Sequence, residues 1–154
     1  MFTTVAFSAV LTGARIADEN NTQSKYAGEE SRAIKSLSAA DIEELKRGGG
    51  WGLAKPAELN GIPGPAHVLE LQEELGLTAA QEQVISGIFN EMQRKAIGLG
   101  KKLIALEADM EAAFRNKTVK QESLRTALDE IGEVRSELRF THLNAHLRLL
   151  PVMT

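Results

Sequence analysis

Two of the three histidines in the chain, His142 and His146, stand four residues apart in "RFTHLNAHLRLL", residues 139–150. On a helix, residues i and i+4 are neighbours on one face, so two imidazoles so placed can share one zinc, nickel, cobalt or copper ion. His67 offers a third ligand, and Glu70 or Glu74 an oxygen donor beside it. The competing reading is that each ring hydrogen-bonds a carbonyl or carboxylate at a wet helix interface. Protease-type metal chemistry is excluded, because it needs H-E-x-x-H with the glutamate as general base, and Leu143 follows His142. The chain has no cysteine, so thiolate and disulfide chemistry are excluded too.

Other stretches that invite chemistry fail a similar test. The run "GGGWGLAKPAELNGIPGPAH", residues 48–67, is glycine-rich, but a P-loop needs G-x-x-x-x-G-K-[ST]. Here Lys55 is followed by Pro56, and it stands where G-x-G-x-x-G would want its third glycine. The run reads as a connector, with Trp51 plugging the edge of a core. Glu107, Asp109 and Glu111 read as a solvated helix face, not a catalytic pair. Arg94, Lys95, Lys101 and Lys102 read as a charged flank. No nucleophile stands with a base, and no enzyme is expected.

The elements that must position these residues are helical. Aromatics make up 5% of the 154 residues, while helix formers are plentiful. Residues 26–37 and 38–48 predict two short helices, the second capped by Ser38 and ended by Gly48. "HVLELQEELG" predicts a third, with Val68, Leu71 and Leu75 on one face. Thr78 with Gln81 predicts a capping box opening a long helix. Its stripe is Val84, Ile88, Met92, Leu99, Leu103, Leu106, Met110 and Phe114, with a bend or a close helix contact near Gly98 and Gly100. A turn at Asn116-Lys117 leads through a second box, Thr118 and Gln121, into a second long helix. Its stripe is Leu124, Leu128, Ile131, Val134, Leu138, Ala145 and Leu149. At 100° per residue from Leu138, His142 falls at about 40°, within that stripe, and His146 at about 80°, at its edge. The expected fold is all-α, a long helical hairpin with shorter N-terminal helices.

The charge is −3 overall but uneven: residues 1–91 carry 7 Lys/Arg against 13 Asp/Glu, and residues 92–154 carry 11 against 8. Neither half is basic enough for a nucleic-acid footprint. No segment approaches the ~20 apolar residues of a membrane span. Residues 1–24 read as a degenerate signal or disordered tail: Val5 to Leu11 is apolar, but the first basic residue is Arg15. Residues 25–64 hold the short helices and connector, and residues 65–154 the hairpin domain.

Leu77-Thr78-x-x-Gln81, within "LGLTAAQ", resembles the LTxxQ motif of the Spy/CpxP family, which includes heavy-metal sensors of the CnrX and ZraP type. Met153-Thr154 falls where that family carries a second copy of the motif, and the sequence stops inside it. The resemblance covers roughly residues 65–154. It implies a periplasmic, ATP-independent chaperone-like or envelope-stress protein that dimerises and cradles unfolded or envelope proteins. The alternative it implies is a heavy-metal sensor using His67, His142 and His146. In the sensors, ligands come from just before each motif, but Leu71 stands where a His-x3-His begun at His67 would place its second histidine. For the chaperone-like reading, Ile88, Phe89 and Met92, flanked by Arg94 and Lys95, are the expected client contacts.

Overall fold

The computed structural model describes residues 25–153, whose regular structure is all helical, with no strand among them; the signal or tail read over residues 1–24 lies outside the described residues. Five helices follow one another: α1 Ala39–Arg47, α2 Lys55–Glu58, α3 Pro65–Glu70, α4 Ala79–Arg115 and α5 Gln121–Met153. The 37 residues of α4 make a rod about 55 Å long at 1.5 Å per residue. It pairs with α5 as an antiparallel hairpin, α1 and α3 pack on α4, and α3 also touches α5. The all-α hairpin expected from the sequence is therefore the fold, and no described helix is long and apolar enough to cross a membrane.

Local chemistry sets the helix ends. Ser38 accepts from the Asp41 amide while the Asp41 carboxylate accepts from the Ser38 amide, closing the box at the start of α1. Gly48 ends α1 at φ 73°, in the left-handed region, where a side chain would be strained; a Cβ there would also meet the Gln93 carbonyl oxygen at 2.9 Å. Thr78 and Gln81 close the expected box at α4, and Gln81 Nε2 also donates to the Val152 carbonyl at 2.9 Å. Gln81 thus ties the start of α4 to the end of α5.

Five expectations need correction. Glu107, read as part of a solvated face, is buried at 3% exposure, accepting from Ser36 Oγ at 2.7 Å and pairing with Arg135 at 3.5 Å. Residues 26–37 are a string of turns, not a helix; Ile34 and Leu37 are nevertheless buried. The helix α3 is six residues long and buries Val68, while Leu71 and Leu75 are exposed, because its hydrogen bonding gives way to turns after Glu70. Thr118 forms no box with Gln121: its hydroxyl turns back to the Ala113 carbonyl, and Ser123 accepts from the Lys120 amide instead. Within the stripes, Val84, Phe114 and Leu128 are exposed, and Ile85 and Ala96 take core positions that the sequence reading did not assign.

The core is in two parts. One part joins Ile34, Leu37 and Leu45 to Ala96, Leu103, Ile131, Val134 and Leu138. The other gathers Val68, Ile85, Ile88, Met92, Ala145 and Leu149 towards the open end of the hairpin. The expected close contact on α4 is real at Gly100, where a Cβ would lie 2.3 Å from the Leu45 carbonyl oxygen. Gly98 faces open space. The helix α4 continues unbroken through both glycines, so the close approach replaces the bend.

Candidate functional site

Along α5, the two parts of the core meet at His142 and His146, between Leu138 and Leu149. Both rings are buried, at 3% and 4% exposure. Over them folds the segment that links α1 to α3, and between the two lies a crevice of about 580 Å³. Its walls include the loop Gly48–Gly52, Glu58, Gly64 to His67, Phe89 and Met92, with both buried histidines. A larger depression of about 870 Å³ lies along the first turns of α5, but its lining holds no buried polar group. The crevice is the candidate site.

The tautomer of His146 follows from geometry. Its Nδ1 lies 2.9 Å from the Ile62 carbonyl, which can only accept, so Nδ1 carries the proton. In the neutral ring the lone pair is then on Nε2, which lies 4.0 Å from Glu58 Oε1, another acceptor. Gly64 packs directly on the same ring: a Cβ would sit 3.0 Å from both Cε1 and Nε2. Four residues earlier, His142 Nε2 is buried without a hydrogen-bond partner, as is Thr141 Oγ1. Burial holds the His142 ring below its ordinary pKa of 6.5, and proximity to His146 adds to this. Glu44, Glu58 and a hydrogen bond with the Gly49 backbone act in the opposite sense and are outweighed. An imidazole that stays neutral and has an unused nitrogen is competent as an acceptor or a ligand.

The loop above the rings is strained. Trp51 sits at φ 45°, rare for a residue with a side chain. Three contacts hold it there: its amide donates to Glu44 Oε1 at 3.1 Å, its indole Nε1 donates to Asp41 Oδ1 at 2.9 Å, and the Arg135 guanidinium lies 5.0 Å from the ring centroid. The hydrogen bonds from Ser38 and Trp51 keep the Asp41 carboxyl below its ordinary value. Trp51 also packs against the first core cluster, as a residue plugging the core edge should.

His67 reaches only the rim. Its ring is exposed and lies 3.3 Å from Glu70 Oε2. Among the described residues, no three His, Asp or Glu side chains stand together as a metal-holding group. The structure therefore brings His142 and His146 to one crevice and His67 to its edge without assembling the three as a ligand set. The sequence reading saw the pair but missed Glu44 and Glu58, which no motif marks; the packing of α1 on α4 brings the first near α5, and the fold-back of the connector brings the second.

Of the expected client contacts, Ile88 and Met92 are buried in the second core cluster, and Phe89 packs against that cluster from a half-buried position. They cannot form a docking face, because the α3 segment and α5 cover that side of α4. Arg94 and Lys95 are exposed as expected. Exposed apolar side chains stand elsewhere: Phe140 and Leu147 at 56%, Leu150 at 44%, and Val84 at 49%. Comparison of the chain with family models, curated proteins and solved structures finds no match to any of them.

Proposed function

We propose that the protein binds other proteins through the outer face of α5 and performs no covalent chemistry, acting as a periplasmic, ATP-independent chaperone-like protein. The observation that carries this is a second apolar seam on α5. Phe140, Leu143, Leu147 and Leu150 follow one another at spacings of three and four, on the side opposite Leu138 and Ala145. A helix that is apolar on both faces has one face in the core and one left for a partner. Lys95 borders the seam, 5.9 Å from the Phe140 ring centroid and 3.4 Å from Glu137, and Arg148 pairs with Glu91 at 2.8 Å along the same flank, where α4 meets α5. An apolar strip edged by charges of both signs suits weak, unselective holding of unfolded segments. The resemblance in the LTxxQ stretch supports the same reading, and a homodimer belongs with it, since a second copy can occupy this seam.

The test is suppression of aggregation of an unfolding test protein by the chain, its Phe140→Ala/Leu147→Ala variant and its Ile88→Ala variant. The seam variant should keep its stability and lose most of the suppression. Ile88→Ala should lose about 2–5 kcal/mol of stability, the cost of truncating a buried aliphatic side chain. Suppression equal to wild type in the seam variant, or none by the wild type at stoichiometric excess, refutes the proposal.

A further inference from the structure

We infer that the crevice over His142 and His146 is a binding site for a primary alkylammonium group, as carried by a lysine side chain or a polyamine. The inference is separate from the seam on α5. Three carboxylates, Glu44, Glu58 and Glu70, line the crevice against one guanidinium, Arg47. Glu44 is already used by the Trp51 amide and lies 3.7 Å from Arg47, and Glu70 faces His67. Glu58 makes no side-chain hydrogen bond among the described residues; its nearest charged or titratable neighbour is His146 Nε2 at 4.0 Å. That nitrogen is an acceptor in the neutral ring, because Nδ1 is committed to the Ile62 carbonyl. With that ring neutral, two acceptors thus face one another across a gap, and His142, whose own Nε2 is buried without a partner behind the crevice wall, lines the same crevice. What answers such a lining is a cation that brings several donors of its own.

Size and wall chemistry choose between a bare ion and an organic cation. A volume of about 580 Å³ is in the range of small-molecule sites and far beyond what one coordinated ion fills. The described residues present no three-group metal set. Phe89, Met92, Ala54 and Pro65 supply apolar wall for a methylene stem while the ammonium head meets Glu58. A three-donor ammonium can bond Glu58 and an imidazole nitrogen together, which a neutral alcohol of the same length cannot do with comparable strength.

The test titrates isotope-labelled protein with hexylammonium, hexan-1-ol, zinc chloride, spermidine and Nα-acetyl-lysine amide, following amide shifts and Trp51 fluorescence. Hexylammonium should bind with shifts concentrated at Gly48–Gly52 and Gly64–His67, and hexan-1-ol should bind at least tenfold more weakly. The lysine derivative and spermidine distinguish the two sources of the group. Glu58→Gln, at a half-exposed site that does not carry the fold, should weaken hexylammonium by roughly ten- to a hundredfold, the loss expected for a charged hydrogen bond. Equal binding of the alcohol, unchanged binding in Glu58→Gln, or shifts scattered over the surface would overturn the inference. So would zinc binding in preference to every ammonium and its loss in His142→Ala, which would make the pair a metal site.

Discussion

Gly98 and Gly100 lie two residues apart in the middle of α4, and replacing each with alanine should move stability in opposite directions. In a helix interior, alanine is favoured over glycine by about 0.8–1.0 kcal/mol. At Gly98 a Cβ meets nothing within 4 Å, so that gain is realised in full. At Gly100 the same gain is opposed by a Cβ only 2.3 Å from the Leu45 carbonyl oxygen and 2.9 Å from its carbonyl carbon. Both are backbone atoms and cannot turn aside, so α1 has to move away from α4 by about an ångström to restore normal contact. That shift loosens Leu45, 1% exposed, against Leu103 and Leu37. Overpacking of this kind costs about 1–3 kcal/mol, and the upper end applies where only backbone can yield. The net expectation for Gly100→Ala is a loss of roughly 2 kcal/mol, against a gain of about 1 for Gly98→Ala. For a chain of this size each kcal/mol corresponds to about 2–4 °C in Tm, so the variants should straddle the wild type by several degrees. Thermal unfolding followed by far-ultraviolet circular dichroism reads the gap directly. If Gly100→Ala melts with or above Gly98→Ala, the close approach of α1 to α4 is wrong.

Two further measurements test the site and the hairpin end. Because burial keeps the folded His142 below its ordinary 6.5, the unfolded chain takes up the proton first. Stability is therefore complete above 6.5 and falls as pH drops from there through the folded value, by at most about 1.4 kcal/mol per pH unit. Urea unfolding of wild type and His142→Gln between pH 7.5 and 5 should show a steeper acid loss in the wild type; parallel slopes would refute the account of the buried ring. Gln81→Ala removes both its half of the capping box and the bond to the Val152 carbonyl. It should cost more than Thr78→Ala, for which about 1 kcal/mol is typical, and should speed amide exchange in the last turn of α5. Equal losses and unchanged exchange would mean that Gln81 only caps.

The sequence by itself determined several features that depend on near neighbours, though not the box expected at Thr118, whose hydroxyl turned back to the Ala113 carbonyl. Caps at Ser38 and Thr78 and the stop at Gly48 are local chemistry, and they read correctly because each needs only residues three or four positions away. The long stripes also sufficed to place His142 on the buried side of α5, since helical periodicity holds whatever packs against it. What the sequence could not supply was which of two apolar faces would find a partner within the chain. Ile88 and Met92 read as a surface, and Phe140 and Leu147 were not singled out, yet burial chose the reverse. The fold-back of residues 26–70 covers one side of the hairpin and leaves the other bare. That same fold-back made the crevice: Glu58, Ile62 and Gly64 come to the His146 ring from more than eighty residues away in sequence. Spacing fixes what shares a helix face, but whether two imidazoles meet a carbonyl, a carboxylate or a third ligand depends on long-range packing, which no local pattern encodes.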